Sequence, residues 1–344
     1  MAKHSLSANF SGPWKWKKIS IVSLKVLLGV FLVWYLASRE IIDFGTLTLL
    51  YENYGYALLS AGIFLTTVAI AAYRWHLLLA AQDIPLPLTT AIKIVGASYA
   101  TSIVLAGVIG GEGLRAAWIL TTMRARRTVA LLSLPVDRLC GLLALLAIGS
   151  LAVVMRWDLL MSGSATMSLA ILTLSLFVAA VVFITLGIWL LSHFPFLDRI
   201  GNWENGGWGK RTIWQIVRAT IVYRDRTGCL IKCLILSIFS NALTIVAFLV
   251  LLEFVPTGAM ATVDIVLAFV LSSLANVFSI TPGGIGIGEG AFEVLCRLIG
   301  GAAAGAGYGT LFFMFRIVTW VPLVAIISVI FLGKWRMRME APSV

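Results

Sequence analysis

A long apolar segment is interrupted by Thr281-Pro282-Gly283-Gly284-Ile285-Gly286-Ile287-Gly288-Glu289-Gly290, which sets one proline, five glycines and one carboxylate side by side. Proline and glycine both weaken a helix, so the stretch predicts broken backbone within hydrophobic sequence. Backbone N–H groups freed in this way bind anions, phosphate above all. A weaker copy stands upstream as Gly107-Val108-Ile109-Gly110-Gly111-Glu112-Gly113. Superposing the two glutamates pairs Gly107 with Gly284, Gly111 with Gly288 and Gly113 with Gly290. An arginine follows each glutamate by roughly seven helical turns: Arg138 after Glu112, and Arg316 after Glu289.

This pattern nominates a binding site rather than a catalytic one. Arg115, Arg138 and Arg316 offer guanidinium forks that suit phosphate oxygens. Glu112 and Glu289 would hold those arginines when no anion is bound, or would take a proton or a cationic headgroup group. Arg74 is a further headgroup candidate, with an interfacial anchor as its alternative. The backbone candidates are Gly107, Gly110, Gly111, Gly113, Pro282, Gly283, Gly284, Gly286, Gly288 and Gly290. The three histidines are scattered, and the four cysteines sit in or beside apolar runs as core thiols. Neither set has metal-ligand spacing, so no metal, no cofactor and no catalytic residue is predicted.

These residues must be positioned by membrane helices. The chain is 60% hydrophobic and 12% charged, with a mean hydropathy of +1.00, which is the composition of an integral membrane protein. Its 344 residues leave no room for a sizeable soluble domain beside the spans. The net charge of +11 reports the side on which loops lie rather than nucleic-acid binding.

Spans are predicted at about 19–38, 56–79, 129–154, 167–191, 232–252 and 310–332. Basic residues crowd the N-terminal tail (1–18), positions 124–127, the segment 194–228 and the C-terminal tail (334–344), which places both termini in the cytoplasm. Within 194–228, residues 210–223 carry one apolar helical face and fit a helix lying in the inner interface. Two further apolar arms, 89–106 and 263–280, each run into a glycine-rich break and return by a short arm, 114–122 and 289–301. A returning arm of that length cannot cross a core of roughly 30 Å, so each unit predicts a re-entrant hairpin. The fold expected is all-α and polytopic, with six full spans and two re-entrant hairpins, or eight spans if the long arms cross fully. Repeat one (about 55–155) and repeat two (about 229–333) then lie inverted to one another, as in transporters whose broken segments meet near the midplane.

The run Thr281 to Gly286 with Glu289-Gly290-Ala291-Phe292 resembles the C-terminal motif of the lysylphosphatidylglycerol synthase transmembrane region, also called flippase-like or UPF0104. Gly110-Gly111-Glu112-Gly113-Leu114-Arg115 is similar to its first-half motif, and Asp137-Arg138-Leu139-Cys140-Gly141 to its acidic-Arg-x-x-Gly element. The resemblance covers about residues 20–335 and implies a single flippase-like domain (19–333) in a prokaryotic cytoplasmic (inner) membrane. Larger members carry an aminoacyltransferase domain. This chain ends soon after its last span, so that activity is not expected of it. The resemblance implies movement of an anionic phospholipid or a polyprenyl-phosphate-linked lipid between leaflets. Two other classes fit the same sequence. One is a membrane-embedded lipid-modifying enzyme of the polyprenyl-phosphate glycosyltransferase type, against which the short outer loops speak. The other is a membrane partner that recruits a separately encoded lipid synthase through the basic 194–228 segment. Neither the lipid nor the oligomeric state is legible.

Overall fold

The computed structural model describes residues 27, 30–39, 41–104, 107–123, 126–157, 163–193, 214, 222–223, 225–277, 279, 281–301 and 307–339. The predicted interfacial helix at 210–223, and most of the predicted first span, lie outside them. The described elements are helical: α1 (30–38), α2 (Tyr54–Ala80), α3 (Leu88–Val104), α4 (Gly107–Thr122), α5 (Arg127–Met155), α6 (Ser164–His193), α7 (Thr227–Leu249), α8 (Thr262–Val277), α9 (Ile287–Gly300) and α10 (Tyr308–Met339). Among the described residues five helices are long and apolar enough to cross a membrane: α2, α5, α6, α7 with its 3-10 extension to Glu253, and α10. The chain is an all-α polytopic membrane protein.

Helices α3, α4, α8 and α9 are 17, 16, 16 and 14 residues long. At 1.5 Å per residue they reach about 21–26 Å, short of a hydrocarbon core of roughly 30 Å. They pair as two helical hairpins, α3 with α4 and α8 with α9. The packing between the halves is reciprocal. Helix α2 packs on α7, α5 packs on α8, and α10 packs on α3. Exchanging the halves exchanges these contacts, so the final long helix of each half supports the first arm of the other half's hairpin. An aromatic cluster fills the middle of the second half. Phe248 lies 4.7 Å from Phe269, 5.2 Å from Phe292 and 5.4 Å from Phe315, centroid to centroid. Phe64 on α2 joins it 6.1 Å from Phe315. Rings at these separations, tilted or edge-on, fix helices against one another more sharply than aliphatic side chains do.

The first glycine run differs from the sequence expectation. Gly107 to Gly113 do not break the helix; they form the first turns of α4, which therefore begins at Gly107 and not at Leu114. The run contains no proline, and its small residues let α4 sit directly on α3. Ser98 Oγ donates to the Gly111 carbonyl at 2.7 Å, and a Cβ on Gly111 would lie 2.6 Å from the Ser98 carbonyl oxygen. Close approach of this kind stabilises helix pairs in membranes, where apolar burial alone gives no drive. The second run does break. Gly283, Gly284 and Gly286 have φ of 58°, 74° and 86°, a region that L side chains enter only with strain. They form a turn between α8 and α9, led by Pro282, which has no N–H to offer a helix.

The close seat of Gly111 generates a paired test. Gly111→Ala forces α3 and α4 apart and should lower stability by about 1–3 kcal/mol, as overpacking does. Gly113→Ala meets nothing within 4 Å and should raise stability by up to about 1 kcal/mol through helix propensity. Thermal unfolding of the purified variants checks both signs; equal behaviour of the two would remove the packing explanation.

Candidate functional site

Three helices of the first half, α2, α4 and α5, meet at one carboxylate, and α7 of the second half joins them through Arg74. Asp137 on α5 is 1% exposed. Its Oδ1 accepts from Arg74 Nε at 2.6 Å and its Oδ2 from Arg115 Nη1 at 3.0 Å. Arg74, on α2, also donates to Ser237 Oγ of α7 at 2.6 Å. Arg115, on α4, reaches its own helix neighbour Glu112 at 3.0 Å and lies over the Trp75 ring at 5.4 Å. Glu112 Oε1 in turn accepts from Arg138 Nε at 2.7 Å and Nη2 at 2.5 Å. The result is a continuous chain: Arg74, Asp137, Arg115, Glu112, Arg138. Asp137 and Arg138 are neighbours about 100° apart around α5. One turns into the bundle and the other stays accessible, with 46% of its side chain exposed.

The second-half charges form a separate, closed arrangement. Arg316 on α10 is 4% exposed. It donates to the Gly283 carbonyl at 2.5 Å, to the Gly284 carbonyl at 3.0 Å and to Asn276 Oδ1 at 3.3 Å. Its guanidinium lies over the Phe312 and Trp320 rings at 5.2 and 5.0 Å. Its Nε approaches Glu289 Oε1 at 3.0 Å without an aligned hydrogen bond at either atom, so that contact is Coulombic. Glu289 Oε2 accepts from the Gly286 N–H at 2.8 Å, placing a negative charge at the N-terminus of α9 where the helix dipole favours it. Gly288 has no Cβ because the Arg316 guanidinium occupies that space.

The two hairpins touch. The Gly283 N–H donates to the Ser102 carbonyl at the end of α3, at 3.2 Å. Beside this seam lie two cavities, of about 520 and 230 Å³. Phe64, Tyr99 and Arg138 line both. Arg74, Asp137, Ser240, Asn241 and Thr244 supply the polar wall of the larger, and Ser98, Ser102, Gly111, Asn276 and Gly283 that of the smaller. The larger volume is that of a small-molecule or headgroup pocket.

Of the predicted residues, Arg74, Glu112, Arg115 and Arg138 fall in one cluster, Glu289 and Arg316 in the other, and Gly111 and Gly283 share the smaller cavity. Burial sets aside the interfacial-anchor alternative for Arg74, whose partners are inside the bundle. Gly286 and Gly290 pack against Leu32 and Leu36 of α1, and Gly113 faces open space, so these three do not line the cavities. In the sequence Asp137 stands out only as part of the acidic-Arg-x-x-Gly element and is not in the candidate set. Ser237, Asn241 and Asn276 were missed as well. The available signal was polar side chains inside otherwise apolar helical runs, Ser237 and Asn241 being one turn apart on α7.

Gly288→Ala should displace the Arg316 guanidinium and lower stability by about 1–3 kcal/mol. Gly290→Ala places a Cβ 3.6 Å from Leu36, ordinary contact, and should change little. Unfolding temperatures of the two variants decide it, and a silent Gly288→Ala would show that Arg316 is not confined.

Comparison with protein families places residues 22–327 on the model described as Lysylphosphatidylglycerol synthase TM region. A search of curated proteins finds no match. The matched range contains both hairpins and both charged clusters. Membership of that family makes this a membrane protein of lipid metabolism. The chain belongs to the lysylphosphatidylglycerol synthase transmembrane-region family.

Proposed function

We propose that the protein is a lipid translocase that carries an anionic lipid phosphate between leaflets, with the phosphate taken by Arg138. The observation behind this reading is the position of that guanidinium. It is half exposed, stands on the wall common to both cavities, and is held by a single carboxylate oxygen, Glu112 Oε1. A phosphate oxygen can replace that carboxylate with the same charge and the same fork geometry. Glu112 would then rest on Arg115, its second partner, so no buried charge is stranded by the exchange. The apolar remainder of the cavity walls suits a headgroup whose tails stay in the bilayer.

In this proposal the hairpins are re-entrant and the two halves are inverted repeats. Their short arms and reciprocal packing support it, since a two-fold axis in the membrane plane would generate such contacts. The same charge distribution supports a cytoplasmic-membrane protein with both termini inside. Arg316 and Glu289 take a holding role in this reading. Their closed contacts position the turn that carries Gly283 to the cavity.

Two variants separate transport from folding. In proteoliposomes with leaflet-resolved detection of labelled phosphatidylglycerol, Arg138→Ala should lose transport at least about tenfold with its unfolding temperature unchanged, because the side chain is half exposed. Arg316→Ala should instead lose folded protein, since stripping one partner from a buried pair costs about 3–5 kcal/mol. Wild-type transport by Arg138→Ala overturns the phosphate reading. The orientation has its own test: a cysteine at Asn205 or Arg338 should react only with reagent on the cytoplasmic side, and labelling from outside reverses the assignment.

A further inference from the structure

We propose that Glu112 takes up a proton when a lipid phosphate takes Arg138, so that each lipid anion crosses together with one proton. The inference rests on the phosphate reading above and adds to it the coupling of transport to a proton.

Glu112 differs from the other carboxylates of the two clusters in what its oxygens hold. Asp137 is bound on both, by Arg74 at Oδ1 and Arg115 at Oδ2, and its side chain is 1% exposed. Glu289 is fully buried, its Oε2 accepts from the Gly286 N–H, and it lines neither cavity. Glu112 presents a single oxygen to both of its arginines: Oε1 meets Arg115 Nη2, and Arg138 Nε and Nη2. Its Oε2 is buried with no hydrogen-bond partner, on a side chain that keeps 18% of its surface exposed. The helices that pack most on α4 are α3, α5 and α8. Their titratable and charged groups are Lys93 and Tyr99 on α3, Arg127, Asp137, Arg138 and Cys140 on α5, and Asp264 on α8. Among the described residues only Arg138 of these forms a salt bridge with Glu112, while Asp137 is linked to it through Arg115.

Two states of this cluster are balanced and two are not. In the empty site Glu112 is ionised and holds Arg138. In the loaded site a phosphate oxygen holds Arg138, and Glu112 is the neutral acid beside Arg115, which Asp137 Oδ2 continues to hold. An empty site with neutral Glu112 would leave Arg138 without a counter-charge, since Glu112 is its ion-pair partner among the described residues. A loaded site with ionised Glu112 would leave that carboxylate beside the phosphate and would rest two carboxylates on Arg115. Like charges this close favour protonation of one of them, more so where the surroundings screen poorly. A phosphodiester is much the stronger acid, so a proton from solvent joins the carboxylate. Asp137 does not compete for it, because arginines hold both of its oxygens. Phosphate and proton therefore enter and leave as a pair. The cluster's net charge is the same in both states: three arginines against Glu112 and Asp137 when empty, and against Asp137 and the phosphate when loaded.

The test uses the purified protein in phosphatidylcholine proteoliposomes carrying a trace of labelled phosphatidylglycerol, read leaflet by leaflet against protein-free vesicles. A gradient of about one pH unit should draw the label toward the leaflet on the alkaline side, by up to about tenfold for one-to-one coupling. A diffusion potential at equal pH should not move it, because lipid anion and proton together are neutral. A label that crosses but ignores the pH gradient, whether or not it follows the potential, overturns the proton inference and leaves the translocase reading standing. No movement above the protein-free vesicles overturns both. The carrier is identified by Glu112→Gln, in which the label should no longer follow the pH gradient; a response that persists overturns the assignment to Glu112. Should that variant not fold or not move the label, infrared difference spectra on adding phosphatidylglycerol to the protein in detergent decide the assignment. A band of a protonated carboxyl should appear in the wild type and be displaced in Glu112→Asp, which keeps the carboxyl on a chain shorter by one methylene. No such band, or one that Glu112→Asp leaves in place, overturns the role of Glu112.

Discussion

A charge inside a membrane protein has to be answered by another charge or by a dense set of dipoles, because no bulk water is available to do it. Asp137 is where this constraint acts most strongly. Buried in α5, it is answered from α2 and α4 by two arginines, one on each oxygen. Removing it would take the carboxylate from Arg74 and leave Arg115 with Glu112 alone. The register of three helices is thereby tied to one carboxylate, and Ser237 extends the tie to α7. Apolar packing in lipid distinguishes poorly between one helix rotation and another. A set of ion pairs with fixed geometry does.

The two halves answer the same constraint differently. In the second half Arg316 is satisfied mostly by dipoles: two turn carbonyls, an amide and two aromatic faces. In the first half the arginines are answered by carboxylates, and the last of them is left half exposed. Carbonyls belonging to a turn move only if the turn does. A carboxylate on a side chain can swing. This places the rigid component in the second half and the exchangeable contact in the first, although both grew from similar Gly–Glu–Arg spacing.

Much of this was legible in the sequence. Hydropathy located the start of each described long helix to within five residues, because apolar runs and basic flanks are local signals, although α10 continues to Met339, past the predicted end at 332. The pairing of each glutamate with the arginine about seven turns later was also legible, since an arginine follows at nearly the same spacing in both segments. The role of Asp137 was not. Its partners lie 63 and 22 residues away, and only the packing of α2 and α4 brings them to it. The first glycine run was misread as a break for a related reason. Glycine weakens an isolated helix, but Gly111 is exchanged for contact with Ser98 on a neighbouring helix, which propensity cannot anticipate. Pro282 made the second run a true break by a mechanism internal to its own backbone, and there the local reading held.

The polar seam between the hairpins includes the hydrogen bond from the Gly283 N–H to the Ser102 carbonyl. Neither atom belongs to a side chain. Replacing Ser102 by any other residue leaves its carbonyl where it was, and every replacement except proline leaves an N–H at position 283. The joint is thus invisible to an alanine scan at position 102, and drift in sequence there would leave it intact, whereas a Cβ at position 283 would meet the Trp320 ring at 2.5 Å in a strained backbone. Chemistry that edits the main chain itself, such as an amide-to-ester exchange at residue 283, is what reaches it.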